Sequence, residues 1–492
     1  MGEKYVISYD LGTSGVKVAL VDLTGKFLYD ATENYSLITP QPGWAEQDPM
    51  EYWDSVCKAT KRVLEKSGFD PADAQGLAIG TMWKGIIPVD AEGNVLHNSI
   101  IWMDNRAEDQ AKRLNAHFGK ELFCGADYWP KLMWFRENCP DLYDKAVTIL
   151  ETNSFLKWKA TGVAMVDIAN HFTRSFDTEV QEFYNEYLRF CDIDLDKFPP
   201  LAVATDFVGH ISEEGAKAMG LVPGIPVYAG CSDISAIPIG CASTNIDAVH
   251  TYFGSSGWVG VSKKHVAGDV YVSPFDPERD IKIHGTQAVG LALNWAVEQL
   301  YHKEFEEMGG AVYDFINQDI ADIPAGSNGL FVTPWVRGER PPCFSEAARG
   351  CFLNLNSTHD RRHMMRALME GVCYTLKMVS QEYWNEIEEK PACINAVGGG
   401  ACSDVWMQSL ANILNIPVNV PRFPRHAGAV GVAYCALIGL GYCKDYDAIS
   451  EQLVIERRFE PQPEMVKLYE EGFEIFKGLY GMLEPLFLRM NQ

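Results

Sequence analysis

Asp10-Leu11-Gly12-Thr13-Ser14-Gly15 joins a strand-end carboxylate to a tip of glycines and hydroxyls. A carboxylate so placed can hold Mg2+, directly or through water, and small residues at a hairpin tip present amide N–H groups and hydroxyls to a phosphate. Read alone, the stretch is first a tight hairpin whose glycines satisfy backbone geometry and whose Lys17 is a solvated charge. A second version stands near mid-chain, Phe253-Gly254-Ser255-Ser256-Gly257. Asp233 lies where the strand Pro226 to Ala229 gives way to a helix; it suits a general base at a strand's carboxyl end, or a helix N-cap. Gly398-Gly399-Gly400, between a buried strand and a helix from about Ser403 to Leu414, offers bare backbone to a flat base or a phosphate. Asp104 and Arg106 follow another apolar strand. Arg337, Glu339 and Arg340 sit in a long aperiodic segment, as a binding loop or as a braced one.

These groups need elements to hold them. Lys4 to Tyr9 and Val16 to Val21 read as strands flanking the first loop, with a third starting at Phe27, which makes a meander. The strand–loop–helix of a P-loop or dinucleotide fold is absent, as are its glycine signatures. A helix starts after Asp48, with Pro49 at its first position and Glu51 completing a capping box, and ends at Gly68. Strand 76–80 follows, and strands and helices then mix to about residue 245 in an α/β pattern. Two hairpins of one kind, each opening half of the chain, predict two similar domains, 1–245 and 246–492, facing each other across a cleft. The segment Pro463 to Met490 reads as an amphipathic helix expected to pack back on the first domain.

At 492 residues, two domains are also the expectation from size alone. Acidic residues outnumber basic ones by 66 to 42, a net charge of −24, so no basic face for nucleic acid is visible. The 13 cysteines are scattered and contain no C-x-x-C pair, the pattern of reduced thiols. The N-terminus enters a strand at once, without the look of a signal peptide, and the most apolar long segment, Ala427 to Leu440, is too short to span a bilayer. A soluble cytoplasmic protein with no membrane partner is expected.

In this order the stretches resemble the FGGY family of carbohydrate kinases, essentially end to end. "DLGTSGVK" is similar to the family's first phosphate motif, "FGSSG" to its second and "VGGGACSDVWMQSLANIL" to its adenosine motif; "AGAVGVAYCALIGLG", "PKLMWFREN" and "RGERPP" are also close to family patterns. The resemblance implies two ribonuclease H-like domains of the actin/hexokinase/Hsp70 type, with ATP, Mg2+ and a sugar in the cleft between them. It implies transfer of the γ-phosphoryl group to a sugar or polyol hydroxyl. Asp233 then falls on the catalytic base and Asp10 on the residue near Mg2+. Gly12, Thr13, Ser14, Gly254 and Ser255 fall on phosphate-loop positions, with Lys17 divided between phosphate contact and surface charge. Gly399, Gly400 and Ser403 fall near adenine and ribose. Kinases of this type are often homodimers, but no interface is legible in the sequence.

Departures from the family bear on the substrate. Where the xylulose-kinase branch has methionine-histidine and the glycerol-kinase branch arginine-glutamate, this chain has Trp83-Lys84. Trp83 offers a flat wall to a sugar's C–H face. Lys84 offers donors without an acceptor, suited to a carboxylate or a dense set of hydroxyls, or it pairs with Asp104 and only shapes the pocket. Asn354 stands where members often have glycine. The expected acceptor is a ketose such as xylulose, with a sugar acid or polyol as the alternative. An actin-like filament, a chaperone or a sugar sensor is opposed by the pocket of Asp233, Trp83, Lys84 and Asp104 and by the absence of an appendage for such roles.

Overall fold

The computed structural model describes residues 2–170, 172–269, 274–339, 347–387 and 389–491. Arg340, and with it the second half of the "RGERPP" stretch, lies outside them. The chain forms two compact units, and neither is a single run: Met1–Thr244 with Lys263–Ile281 and His426–Gln452, and Asn245–Ser262 with Lys282–Arg425 and Leu453–Gln492.

The first unit is built on a six-stranded sheet of β1 (Tyr5–Leu11), β2 (Gly15–Asp22), β3 (Phe27–Asn34), β4 (Ala74–Thr81), β5 (Phe207–His210) and β6 (Pro226–Tyr228), in the order β5-β6-β4-β1-β2-β3. The meander β1–β2–β3 is antiparallel, and β4 joins β1 in parallel, as does β6 with β4. Period-2 alternation sends Tyr5, Ile7, Tyr9 and Leu11 to one face, where they share a core with Tyr52, Val56 and Val63 of the helix Pro49–Ser67. That helix starts as expected at Asp48, whose carboxylate accepts the Met50 N–H at 2.8 Å. The second half of the capping box does not form, because the Glu51 carboxylate accepts the N–H and hydroxyl of Ser36 instead.

The opposite face is covered by the helix Ala427–Gly439, which packs on β1 and β4 and on the helix Asp233–Gly240. Here the division departs from a single cut at 245. A helix that is apolar all round must be enclosed on all sides, and the surfaces enclosing this one belong to the first unit. The two helices touch backbone to backbone. A Cβ on Gly431 would lie 1.9 Å from the Ala236 carbonyl oxygen, and one on Gly240 would lie 1.8 Å from that of Ala427.

In the second unit the sheet order β9-β8-β7-β10-β11-β12 is formed by β7 (Val249–Phe253), β8 (Gly257–Lys264), β9 (Arg279–Thr286), β10 (Ile394–Val397), β11 (Val418–Pro421) and β12 (Ile455–Phe459). A hairpin, β7–β8, again leads into two parallel neighbours and an antiparallel edge. The internal likeness read from two glycine-serine loops is thus a likeness of whole sheets. The last helix, Pro463–Met490, packs on the helices Arg361–Val379 and Asp404–Leu414, with the Tyr469 hydroxyl donating to Glu370 at 2.6 Å. It clusters with the second unit; amphipathicity shows that one face is buried without showing against what. Asn354 has φ 66°, which explains why a glycine suits that position and why asparagine is tolerated.

Candidate active site

Three strands of the first unit end side by side, and the candidate residues emerge there. A parallel bridge joins Thr81, at the end of β4, to Ser232, and the Met82 N–H donates to Leu11 O at 2.9 Å. Ligands of open α/β sheets bind at such carboxyl ends. Asp10 of β1 stands opposite Lys17 in the β1–β2 ladder. Its carboxylate is crowded by the start of the helix Ala427–Gly439: a Cβ on Gly428 would lie 2.6 Å from Oδ2. Burial raises the Asp10 carboxyl above its usual range and Lys17 opposes the rise.

The hairpin tip after Asp10 is fastened by its carbonyls. Tyr35 Oη donates to Gly12 O, Gln47 Nε2 to Thr13 O at 2.8 Å, and the Tyr35 N–H to Ser14 O at 3.3 Å. Trp102 Nε1 donates to the Thr13 hydroxyl at 3.0 Å. With the loop's carbonyls bound to the body of the unit, the groups that would repel a phosphate are withdrawn from it. Tyr35, Gln47 and Trp102 were not singled out from the sequence. They lie 21 or more residues from the loop in the chain, and only the fold joins them to it.

Asp233 is not a helix cap. Ser232 takes that role, its hydroxyl accepting the Ser235 N–H at 3.2 Å, and Asp233 is the first helical residue. Its own carboxylate accepts the Ile234 N–H at 2.9 Å. Burial, and then the negative charge of Asp10, push its pKa up to about 7. Both carboxylates also act on the Tyr35 phenol, so Asp10, Asp233 and Tyr35 lie within one electrostatic neighbourhood.

Trp83 and Lys84 follow β4. Trp83 packs on Phe172, centroids 5.6 Å apart, and both border a small cavity of about 70 Å3. Lys84 has φ 64°, a left-handed conformation that costs a side-chain-bearing residue roughly 1–2 kcal/mol. Its ammonium pairs with Asp127 at 2.7 Å and lies 4.6 Å from the centre of the Trp83 ring. Burial alone would raise the Asp127 carboxyl, but Lys84 and the Cys124 N–H hold it below the usual range. The partner of Lys84 is therefore Asp127 and not Asp104. Asp104 is fully buried; its oxygens accept the Ala45 N–H at 2.5 Å and the Arg106 N–H, Nε and Nη2 at 2.7–2.9 Å. Arg106 also reaches Glu46 and stacks on Trp44 and Trp134. Each Asp104 oxygen thus accepts two of these hydrogen bonds within the interior of the unit.

The second unit repeats the device of tethered carbonyls. Gly254 O accepts the Gly290 N–H at 2.8 Å, and Ser255 O accepts those of Val289 and Leu291 at 3.0 and 3.1 Å, at the start of the helix Gly290–Leu300. Glu339 steadies the same region, accepting the Thr286 hydroxyl at 2.6 Å and the Gln287 N–H at 3.1 Å. In the triple glycine each residue has its own setting. Gly398, with φ 97°, passes against the Phe253 backbone, Gly400 is packed between Phe253 and Trp406, and Gly399 is exposed with nothing within 4 Å of where a Cβ would stand. The Ser403 hydroxyl is engaged, capping the helix Asp404–Leu414 through the Trp406 N–H and donating to Asn317 Oδ1 at 2.5 Å.

Residues 5–240 match the N-terminal domain of the FGGY family of carbohydrate kinases, and residues 250–440 match its C-terminal domain. The chain is an FGGY carbohydrate kinase. It is 29% identical over 505 residues to the xylulose kinase of Bacillus subtilis, covering 98% of each chain. Among solved structures it resembles the ligand-bound xylulose kinase of Lactobacillus acidophilus (TM-score 0.83, 24% identity, 99% and 100% covered). It resembles the gluconate kinase of the same organism as well (TM-score 0.85, 23% identity, 99% of both). The carbohydrate kinase therefore has two ribonuclease H-like domains and uses a sugar and ATP as its small-molecule substrates. Among its described residues no helix is long and apolar enough to cross a membrane, and no group of three or more His, Cys, Asp or Glu forms a metal cluster.

The residues fit both expected groups. Open space above Gly399 admits a flat base, and a hard cation would suit the crowded carboxylate of Asp10, completed by phosphate oxygens and water. Because Gly399 has an ordinary helical φ of −62° and free space around it, Gly399→Val should fold normally. We expect it to raise the KM for ATP roughly tenfold or more while leaving the KM for sugar within about twofold, as steady-state kinetics will show.

Proposed function

We propose that this kinase transfers the γ-phosphoryl group of ATP to a hydroxyl of a ketose such as xylulose, with Asp233 as general base. The observation that supports this most is the Asp233 carboxylate. It is half-buried, free of any capping duty and titrates near neutrality, at about 7. A sugar hydroxyl is a poor nucleophile until its proton has an acceptor. As its oxygen bonds to the γ-phosphorus, the proton passes to Asp233, the bond from phosphorus to the β-γ bridging oxygen breaks, and ADP leaves. Thr13, Ser14, Gly254 and Ser255 hold the phosphates through N–H and hydroxyl donors, and Gly399 and Gly400 receive the base. Mg2+, held near Asp10, would neutralise phosphate charge during transfer. The free thiols of the 12 described cysteines suit a reducing compartment, and we place the enzyme in the cytoplasm.

A neutral acceptor is favoured over a sugar acid by the Lys84–Asp127 pair, since a lysine already neutralised at 2.7 Å has little charge to offer a second carboxylate. Turnover of ketopentoses, polyols and aldonic acids by the purified protein tests the reading. We expect ketoses to give the highest kcat/KM, and turnover confined to the acids would replace this reading with the sugar-acid one. Asp127→Asn removes the counter-charge of Lys84 and should shift the acid-to-ketose ratio of kcat/KM toward acids by roughly tenfold.

A further inference from the structure

We propose that Lys131 and Glu151 are positioning residues for the acceptor sugar: they clamp the backbone of Lys84 from two sides and so set where Trp83 and Lys84 stand. The inference rests on the sugar-pocket reading above and adds two buried residues to it. Lys84 occupies a left-handed conformation, φ 64°, that a lysine does not hold unaided. Its N–H donates to Glu151 Oε2 at 3.1 Å, and its carbonyl accepts Lys131 Nζ at 2.9 Å. The acceptor comes from the residue preceding the helix Thr152–Thr161 and the donor from the helix Tyr128–Asn138, so the turn is held between two separate elements.

The same ammonium donates to Ile101 O at 2.7 Å, immediately before Trp102, whose indole fixes Thr13. One buried cation thus ties the sugar turn to the segment that anchors the phosphate loop. Lys131 is wholly inaccessible and Glu151 is 5% exposed. Charges are rarely placed so deep unless main-chain or ionic partners require them. Burial lowers the Lys131 pKa to about 7, with Lys84 adding to the fall and Asp104, Asp127 and Glu151 opposing it; burial, and then Asp167, raises the Glu151 carboxyl. Both shifts record the cost of keeping the pair inside.

Lys131→Met, Glu151→Leu and Glu151→Gln would be compared with the wild type on every sugar that the wild type accepts. The wild-type panel decides the preceding reading and the variants decide this one, so the two can fail separately. Glutamine keeps an oxygen for the Lys84 N–H, and Glu151→Gln should remain within about threefold of wild type. Lys131→Met and Glu151→Leu should raise the sugar KM roughly tenfold or more, leave the ATP KM within about twofold, and change the kcat/KM ratio between two epimeric sugars. Folded Lys131→Met and Glu151→Leu proteins with unchanged sugar KM and epimer ratio would overturn the proposal. So would Glu151→Gln impaired as much as Glu151→Leu, or failure of both Lys131→Met and Glu151→Leu to fold, which would leave the pair a purely structural role.

Discussion

Asp233→Asn should lower kcat for sugar phosphorylation by about 10²–10⁴-fold, the range a general base supplies. Asparagine preserves size and the contact with the Ile234 N–H but cannot accept a proton. The Kd for ATP, read by calorimetry, should stay within about threefold, because Gly399 and Gly400, proposed to receive the base, belong to the other unit. A base works only when deprotonated. With its pKa pushed up to about 7, wild-type kcat/KM for the sugar should therefore rise with pH through about 7 and level off above it. The rise should be missing from the residual activity of the asparagine variant. Activity surviving within a few-fold, or a wild-type profile flat between pH 6 and 8, would remove Asp233 from the role.

The second large effect is on stability. Asp104→Leu takes away the partner of Arg106, whose side chain is fully buried. Leaving one member of a buried pair uncompensated costs about 3–5 kcal/mol, and Glu46 at 2.7 Å offsets part of it here. The first transition in urea should move to clearly lower denaturant, while the folded fraction keeps kcat/KM within about threefold. A two-domain chain need not unfold in one step, so the transitions should be followed separately. Stability retained with activity lost would return Asp104 to the sugar.

What the sequence disclosed and what it hid divide along physical lines. The paired hairpins were legible as strands and turns, and Asp10, Asp233 and the glycine run as candidates, because each is a short local pattern with its own chemistry. The helix after Asp48 was legible to within its caps. The surroundings of Asp104 were not legible, because a carboxylate beside an arginine looks alike in sequence whether it faces a pocket or a tryptophan-lined interior. Asp127, Glu151, Tyr35 and Trp102 carried no local signal, and Lys131, inside "PKLMWFREN", carried none for its contacts; Asp127, Lys131, Glu151, Tyr35 and Trp102 act on residues 43, 47, 67, 23 and 89 positions away. The place of the Ala427–Gly439 helix was hidden for the same reason, since an all-apolar helix says that it is enclosed and not by which strands.

The glycine contacts between that helix and the helix of Asp233 have a mechanical consequence. Where two helices meet through side chains, rotamer changes absorb small displacements. Here carbonyl oxygens press on glycine Cα atoms at Gly240 and Gly431, with no side chain between them to yield. Gly428, three residues from Gly431, stands against Asp10 in the same way. A lateral push of a few tenths of an ångström on either helix is then passed on undamped, and the carboxylates of Asp233 and Asp10 travel as parts of one stiff piece. Their spacing is held by bare backbone, the least compliant material in the chain.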